Sequence, residues 1–153
     1  MIVEIEGTDL PGRCCGPNPQ GYVYENIHVG IGERRNPIEL VPGDAASARW
    51  RVEVTTRRAS DGSMDFRGPL VEGKRGDRFI YLNWGSVAAD GSFDLFRRAK
   101  LSLSDVDPTL VERVLENDEV LACTVALTDA KGHPRCARVR APDIAWRAIV
   151  NGA

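Results

Sequence analysis

The sequence lacks the features that mark membrane proteins and disulfide-rich secreted proteins. No apolar run approaches the roughly 18 residues that a membrane-spanning helix requires, and only four cysteines occur among 153 residues. The chain starts directly with an alternating apolar and acidic segment, without a basic and then apolar leader. We therefore expect a cytoplasmic protein that keeps its thiols reduced and does not associate with membranes.

Familiar catalytic and nucleotide-binding motifs are also absent. The sequence contains no G-x-S-x-G elbow, P-loop, dinucleotide G-x-G-x-x-G fingerprint or H-E-x-x-H pair. The net charge is −2, from 20 basic and 22 acidic residues, so no overall field attracts nucleic acid. A local basic cluster is interrupted by aspartates; its members are Lys74, Arg75, Arg78, Arg97, Arg98 and Lys100. We expect no organic cofactor and no nucleic-acid partner.

The main structural signal in the sequence is the alternation of apolar and polar residues, which is typical of half-buried strands. It predicts strands around Val3–Ile5, Ile27–Ile31, Trp50–Val54, Phe79–Trp84, Phe93–Leu103 and Leu121–Leu127. Turn-forming pairs such as Asp61-Gly62 and Asp90-Gly91 separate these runs. The pattern predicts one domain over residues 1–153, mainly β (α+β), folded as an antiparallel sandwich or a partly closed β-barrel.

Two of the predicted strands have special patterns. Phe79–Trp84 is apolar on both faces, which indicates a central strand. In Phe93–Leu103, a regular pleat would place Arg97 on the same face as Leu95 and Ala99. We therefore expect a guanidinium group to point toward apolar neighbours.

One helix is predicted near residues 108–117. Asp107 is a good N-cap, Pro108 suits the first helical position, and an apolar stripe follows. The stripe consists of Leu110, Val111, Val114 and Leu115. A further short helical turn is expected between Asp44 and Arg49.

Several segments together resemble a known family. They are IEGTDLPGR (5–13), VPGDAASARW (41–50), RGPLVEGKRGDRFIYLNWG (67–85), FRRAKLSL (96–103) and LTDAKGHPRCARVR (127–140). In this combination the chain is similar to a family of small bacterial proteins known only as a domain of unknown function. The resemblance implies a free-standing domain and assigns a role to no residue.

Arg97 is the first candidate for a functional residue. An unpaired charge on an apolar face costs several kcal/mol, so a partner must meet it. That partner is either a carboxylate of the protein or an anionic group of a ligand. Alternatively, a β-bulge turns Arg97 outward.

His28, Asn83 and Trp84 are the other candidate ligand-binding residues. His28 lies in a strand with Gly30 and Gly32, whose lack of side chains is expected to leave room above the backbone, and it could serve as a catalytic acid or base. Asn83 and Trp84 end a central strand and could line a pocket. The alternatives are a solvated outer face for His28 and ordinary core packing for Trp84.

The cysteines could form a metal site or a reactive thiol. Cys14, Cys15, His133 and Cys136 supply four possible zinc ligands, but adjacent cysteines depart from the usual C-x₂₋₄-C spacing. Arg13 could lower the pKa of a neighbouring thiol. The expectation is a turn with ordinary thiols and no bound metal. Cys123 alternates with Leu121 and Val125 and belongs to the predicted core.

Three hypotheses about function follow from the sequence. The first is a module that binds a small polar or anionic molecule through His28, Asn83, Trp84 and Arg97. The second is a small enzyme without a cofactor, in which His28 or an aspartate is the base and Arg97 stabilises negative charge. The third is a homo-oligomeric interaction protein.

Overall fold

A computed structural model describes residues 1–12, 14–15, 23–24, 26–33, 36–128, 137–139 and 143–152. These residues form fourteen strands and one helix. In chain order they are β1 (Ile2–Thr8), β2 (Cys14–Cys15), β3 (Val23–Tyr24), β4 (Ile27–Gly32), β5 (Pro37–Pro42), β6 (Ser47–Glu53), β7 (Thr55–Arg58), β8 (Met64–Arg67), β9 (Glu72–Lys74), β10 (Asp77–Val87), β11 (Phe93–Ser102), α1 (Pro108–Glu116), β12 (Glu119–Ala126), β13 (Ala137–Val139) and β14 (Arg147–Val150). The predicted mainly β fold with a single helix is confirmed for these residues.

The first main sheet, sheet I, has the strand order β14-β12-β1-β6. Its inner face carries buried residues such as Ile5, Trp50 and Cys123, which are paired across the three strands. On its outer face Glu4 is nearly buried, with Arg51 at 3.2 Å and Arg49 at 3.8 Å. Polar residues on alternate positions therefore form a compensated charged surface.

The second main sheet, sheet II, has the order β13-β11-β10-β4-β5, with β9 also paired to β10. The predicted central position of β10 is confirmed, since β4 and β11 flank it on either side. Its inner face carries Ile80, Leu82 and Trp84, all of them fully buried. Phe79, Tyr81 and Asn83 alternate with them on the outer face.

The inner faces of the two sheets meet in one hydrophobic cluster that includes residues of both, together with Val111 and Val114 of α1. The arrangement is a sandwich, and neither sheet closes into a barrel within the described residues. Two strand pairs, β1–β12 and β11–β13, are parallel. The other described strand pairs are antiparallel, so the predicted antiparallel sandwich is confirmed. Alternation marks a strand but not its direction, so it could not predict the two parallel pairs.

Helix α1 forms where the sequence predicts it. The Asp107 side chain accepts a hydrogen bond from the Thr109 amide at 2.9 Å, and Pro108 follows as the first helical residue. The second predicted helical turn, from Asp44 to Arg49, is wrong. A turn at Gly43 and Asp44 leads directly into β6, whose apolar residues alternate as a strand requires. No described helix is long and apolar enough to cross a bilayer.

The pleat of β11 is interrupted, contrary to prediction. Trp84 pairs with Arg97, but the next residue, Gly85, pairs with Leu95, so Phe96 is an extra residue in β11. A Cβ atom at Gly85 would overlap the carbonyl oxygen of Asp94, so the bulge requires glycine there. The bulge places Leu95 on the outer face, whereas Arg97, Ala99 and Leu101 remain on the inner face.

The hairpin β7–β8 is joined to sheet II by an ion pair. The Arg78 Nε of β10 donates to Asp65 Oδ1 of β8 at 2.9 Å, and both side chains are largely buried. Arg78 also donates its backbone N–H to the Ser104 hydroxyl at 2.8 Å. These contacts fix the hairpin beside the segment that leads into α1.

Candidate functional site

The four candidate ligand-binding residues lie on two faces of sheet II. Asn83 and Trp84 are neighbours in β10, so their side chains point to opposite faces. The register pairs Trp84 with Arg97, and it pairs His28 with Gly85, which is on the face of Asn83. Trp84 and Arg97 therefore share the inner face, while His28 and Asn83 share the outer face. A single pocket that holds all four side chains is excluded by this register.

The inner-face pair fits core packing. Arg97 shares its face with Ala99 and Leu101, as predicted, and it is half-buried. Arg97 has an interaction partner in the structure. Trp84 is fully buried, and its Nε1 meets no acceptor among the described residues. Because Arg97 is already engaged, the inner face gives no separate argument for a bound anion.

Asn83 is a fully buried polar residue on the outer face. Its Nδ2 donates a hydrogen bond to the backbone oxygen of Gly32. This contact fixes the orientation of the amide, because the nitrogen must face the carbonyl. Oδ1 is left as a buried acceptor without a donor among the described residues. Such an atom costs about 1 to 3 kcal/mol unless a water molecule or a ligand meets it.

Arg98 lies directly across from Asn83 in β11. Its guanidinium carbon lies 4.1 Å from the ring centre of Tyr81, which provides a cation–π contact. Its Nε is buried and has no acceptor in the described part of the chain. Nearby Lys100, in contrast, is 3.0 Å from a carboxylate oxygen of Asp77. A half-buried Arg98 and a buried free acceptor on Asn83 therefore occupy directly opposed positions of adjacent strands.

Sequence reasoning placed Arg98 in the basic cluster but did not select it for the site. The signal that could have identified it is alternation: in antiparallel strands, a residue opposite Asn83 must share the face of Asn83. The apolar neighbours of Arg97 in its own strand predicted that Arg97 is buried. They did not show whether Arg97 lacks a partner. The two adjacent arginines lie on opposite faces, and only the cross-strand register distinguishes them.

His28 lies on the same outer face, at one edge of this group. Its Nδ1 lies 3.0 Å from the backbone oxygen of Asn26. When Nδ1 carries the proton it donates to that oxygen, which leaves Nε2 as an acceptor. His28 can therefore receive a hydrogen bond or a proton at Nε2.

The expected open space above Gly30 is not present. A Cβ atom at Gly30 would lie 2.8 Å from Leu40 Cδ2 and 2.9 Å from the Ile38 oxygen, so β5 fills this volume. At Gly32, Leu70 Cδ2 would lie 3.2 Å from an added Cβ. These leucines cover the glycines beside Asn83. The expectation was wrong because β5, which contains two prolines, was not recognised as a strand.

The structure describes only part of the candidate metal site. His133 and Cys136 lie outside the described residues, as do the side chains of Cys14 and Cys15 in β2. Within the described residues, no group of three or more histidine, cysteine, aspartate or glutamate side chains could hold a metal ion. Cys123 is buried in the core as predicted, and burial raises the pKa of its thiol to about 12.

The outer-face group consists of His28, Tyr81, Asn83 and Arg98, which we call the Asn83–Arg98 site. It combines a cation that has no carboxylate partner among the described residues with an acceptor that needs a donor. A ligand group that accepts from Arg98 and donates to Asn83 would complete both sets of hydrogen bonds.

Comparison with known proteins identifies the family but supplies no function for it. No curated protein and no solved structure matches the chain. A family model, described as a family of unknown function (DUF5990), matches residues 1–149. The resemblance seen in the sequence is thereby confirmed at the level of the family. The chain belongs to the DUF5990 family.

Proposed function

We propose that this protein is a cytoplasmic bacterial module that binds a small organic anion at the Asn83–Arg98 site. The observation that carries the proposal is the pair of unsatisfied atoms on facing residues, Arg98 Nε and Asn83 Oδ1. Partly burying an arginine without an acid partner is unfavourable, and the Tyr81 ring offsets only part of the cost. A bound carboxylate would supply the missing charge.

The two unsatisfied atoms, Arg98 Nε and Asn83 Oδ1, also restrict the chemistry of the ligand. A carboxylate is planar and accepts two parallel hydrogen bonds from a guanidinium group. Asn83 Oδ1 needs a donor close to that carboxylate, because directly opposed residues have their Cβ atoms roughly 5 Å apart. A hydroxycarboxylate has both groups on adjacent carbons. We therefore expect hydroxy acids to bind more tightly than the corresponding simple acids.

A thermal-shift comparison tests this proposal. Glycolate and lactate are compared with acetate and propionate, which have the same carboxylate but no hydroxyl group. A ligand at one hundred times its dissociation constant adds about 2.7 kcal/mol, which corresponds to about 5 to 10 °C for a chain of this size. We expect glycolate or lactate to raise the melting temperature more than acetate or propionate does.

Matched variants locate the effect. Arg98→Gln removes the charge, and Arg98→Lys keeps it but removes the planar donors, so both should reduce the shift. Arg57→Gln, which changes an exposed arginine of β7, should leave the shift unchanged. The proposal is wrong if no acid raises the melting temperature of the wild type more than it raises that of Arg98→Gln. That result would indicate that a buried water molecule satisfies both atoms.

A further inference from the structure

A cleft of about 540 Å³ lies between hairpin β7–β8, the turn that joins β9 to β10, and the start of α1. This size is within the range of small-molecule sites. Neither His28 nor Asn83 nor Arg98 lines it. The cleft is therefore separate from the Asn83–Arg98 site.

The floor of the cleft is apolar. It is formed by Met64 and Phe66 of β8, by Val106 and by Val111 of α1. Phe66, Val106 and Val111 belong to the hydrophobic cluster, so the floor is rigidly supported from below. An apolar group of a ligand that covers this floor would be removed from water, which favours binding.

The rim of the cleft holds one negative and one positive group side by side. Arg75 Nη2 lies 2.8 Å from Asp61 Oδ2 and also donates to the Ser63 hydroxyl at 3.1 Å. The Ser63 backbone N–H and hydroxyl both donate to Asp61 Oδ1, at 3.0 and 2.6 Å. These hydrogen bonds from Ser63, together with the charge of Arg75, lower the pKa of Asp61. The Asp61 carboxyl is therefore ionised at neutral pH.

The rim is fixed in position by the turn that carries it. Ala59 donates to the Ser63 oxygen at 2.8 Å, and Gly62 adopts a φ of +84°, which allows the chain to reverse within five residues. Arg75 makes both of its hydrogen bonds to this turn through a single terminal nitrogen, Nη2. Its remaining N–H groups and the second lone pair of Asp61 Oδ2 can therefore bind further partners.

The two adjacent charges decide which ligands the cleft admits. A ligand with only a negative charge is attracted by Arg75 but repelled by Asp61. A ligand with only a positive charge is attracted by Asp61 but repelled by Arg75. A ligand that carries both signs can pair with both groups at once. We propose that this cleft binds a zwitterionic α-amino acid with an apolar side chain: the carboxylate on Arg75, the ammonium on Asp61 and the side chain on the apolar floor.

Titration of the purified protein with L-leucine and L-methionine, followed by calorimetry and by NMR amide shifts, tests the proposal. The comparison ligands are N-acetyl-leucine, which is only an anion, and leucinamide, which is only a cation. We expect the free amino acids to shift amides of hairpin β7–β8 and α1, and each blocked derivative to bind at least about tenfold more weakly.

Four variants show whether the rim is responsible for binding. Arg75→Gln and Asp61→Asn should each weaken leucine binding by about tenfold or more, and both side chains are more than half exposed, so these variants should fold normally. Arg57→Gln is the control of equal charge change. The proposal is overturned if no free amino acid binds or if the blocked derivatives bind equally well. It is also overturned if Arg98→Gln abolishes leucine binding while Arg75→Gln does not.

Discussion

The ion pair between Asp65 and Arg78 allows a quantitative prediction about stability and pH. The hydrogen bond from Arg78 is the main cause that lowers the pKa of Asp65, and a second bond from Arg67 at 3.3 Å adds to it. Burial of the Asp65 carboxyl acts in the opposite direction and raises its pKa. The pKa falls from 3.8 to about 2. The folded protein therefore holds this proton less tightly than the unfolded chain does.

The sign of the effect follows from that difference. Above a pH of about 4 the carboxylate is ionised in both states, and the full stabilisation is present. As the pH falls toward 2, the unfolded chain takes up the proton first, so the stabilisation is lost. Lowering the pKa of Asp65 from 3.8 to about 2 corresponds to about 2 kcal/mol of stability. Because Arg67 is largely exposed to solvent, we expect about 1 to 2 kcal/mol in practice.

Urea unfolding of the wild type and of Asp65→Asn, at several pH values from 7 down to 2, measures this contribution. At pH 7 the variant should be less stable by about 1 to 2 kcal/mol, and the two curves should converge near pH 2. Asp105→Asn, which changes an exposed carboxylate outside this ion pair, is the control. If the Asp65→Asn and wild-type stabilities remain parallel over the whole range, Asp65 is not the linked group and the reasoning is refuted.

Three further predictions concern particular positions. Asp107→Ala should destabilise the protein by about 1 kcal/mol in urea unfolding, whereas Asp107→Asn, which retains the cap, should not. Gly85→Ala should cost more than about 2 kcal/mol because its Cβ would overlap the Asp94 oxygen, and a cost no larger than that of Ser86→Ala would contradict the bulge. Cys123 should resist iodoacetamide at pH 8 in the native state and react in urea, as measured by peptide mass; equal rates would show that its thiol is accessible.

The strands with clear alternation could be predicted from the sequence, because each has one buried and one polar face. Those that were missed lack this signal. Strand β5 begins and ends with proline and contains Glu39 at a φ of 49°, and its register with β4 is shifted. Strand β14 has only four residues. Such strands form because a neighbouring strand offers backbone partners, and this information lies elsewhere in the chain.

The same limit applies to the candidate site, and it explains why sequence reasoning selected Arg97. Burial can be inferred from a residue's own strand, but the partner of a charge depends on the strands beside it. Arg78 meets Asp65 from a hairpin, and Lys100 meets Asp77 from the adjacent strand. Arg98 lies across from Asn83, whose neutral amide cannot neutralise it. Three cations of similar appearance therefore differ in their need for an external anion, and only the register of sheet II shows that Arg98 is the one whose need is unmet within the described residues.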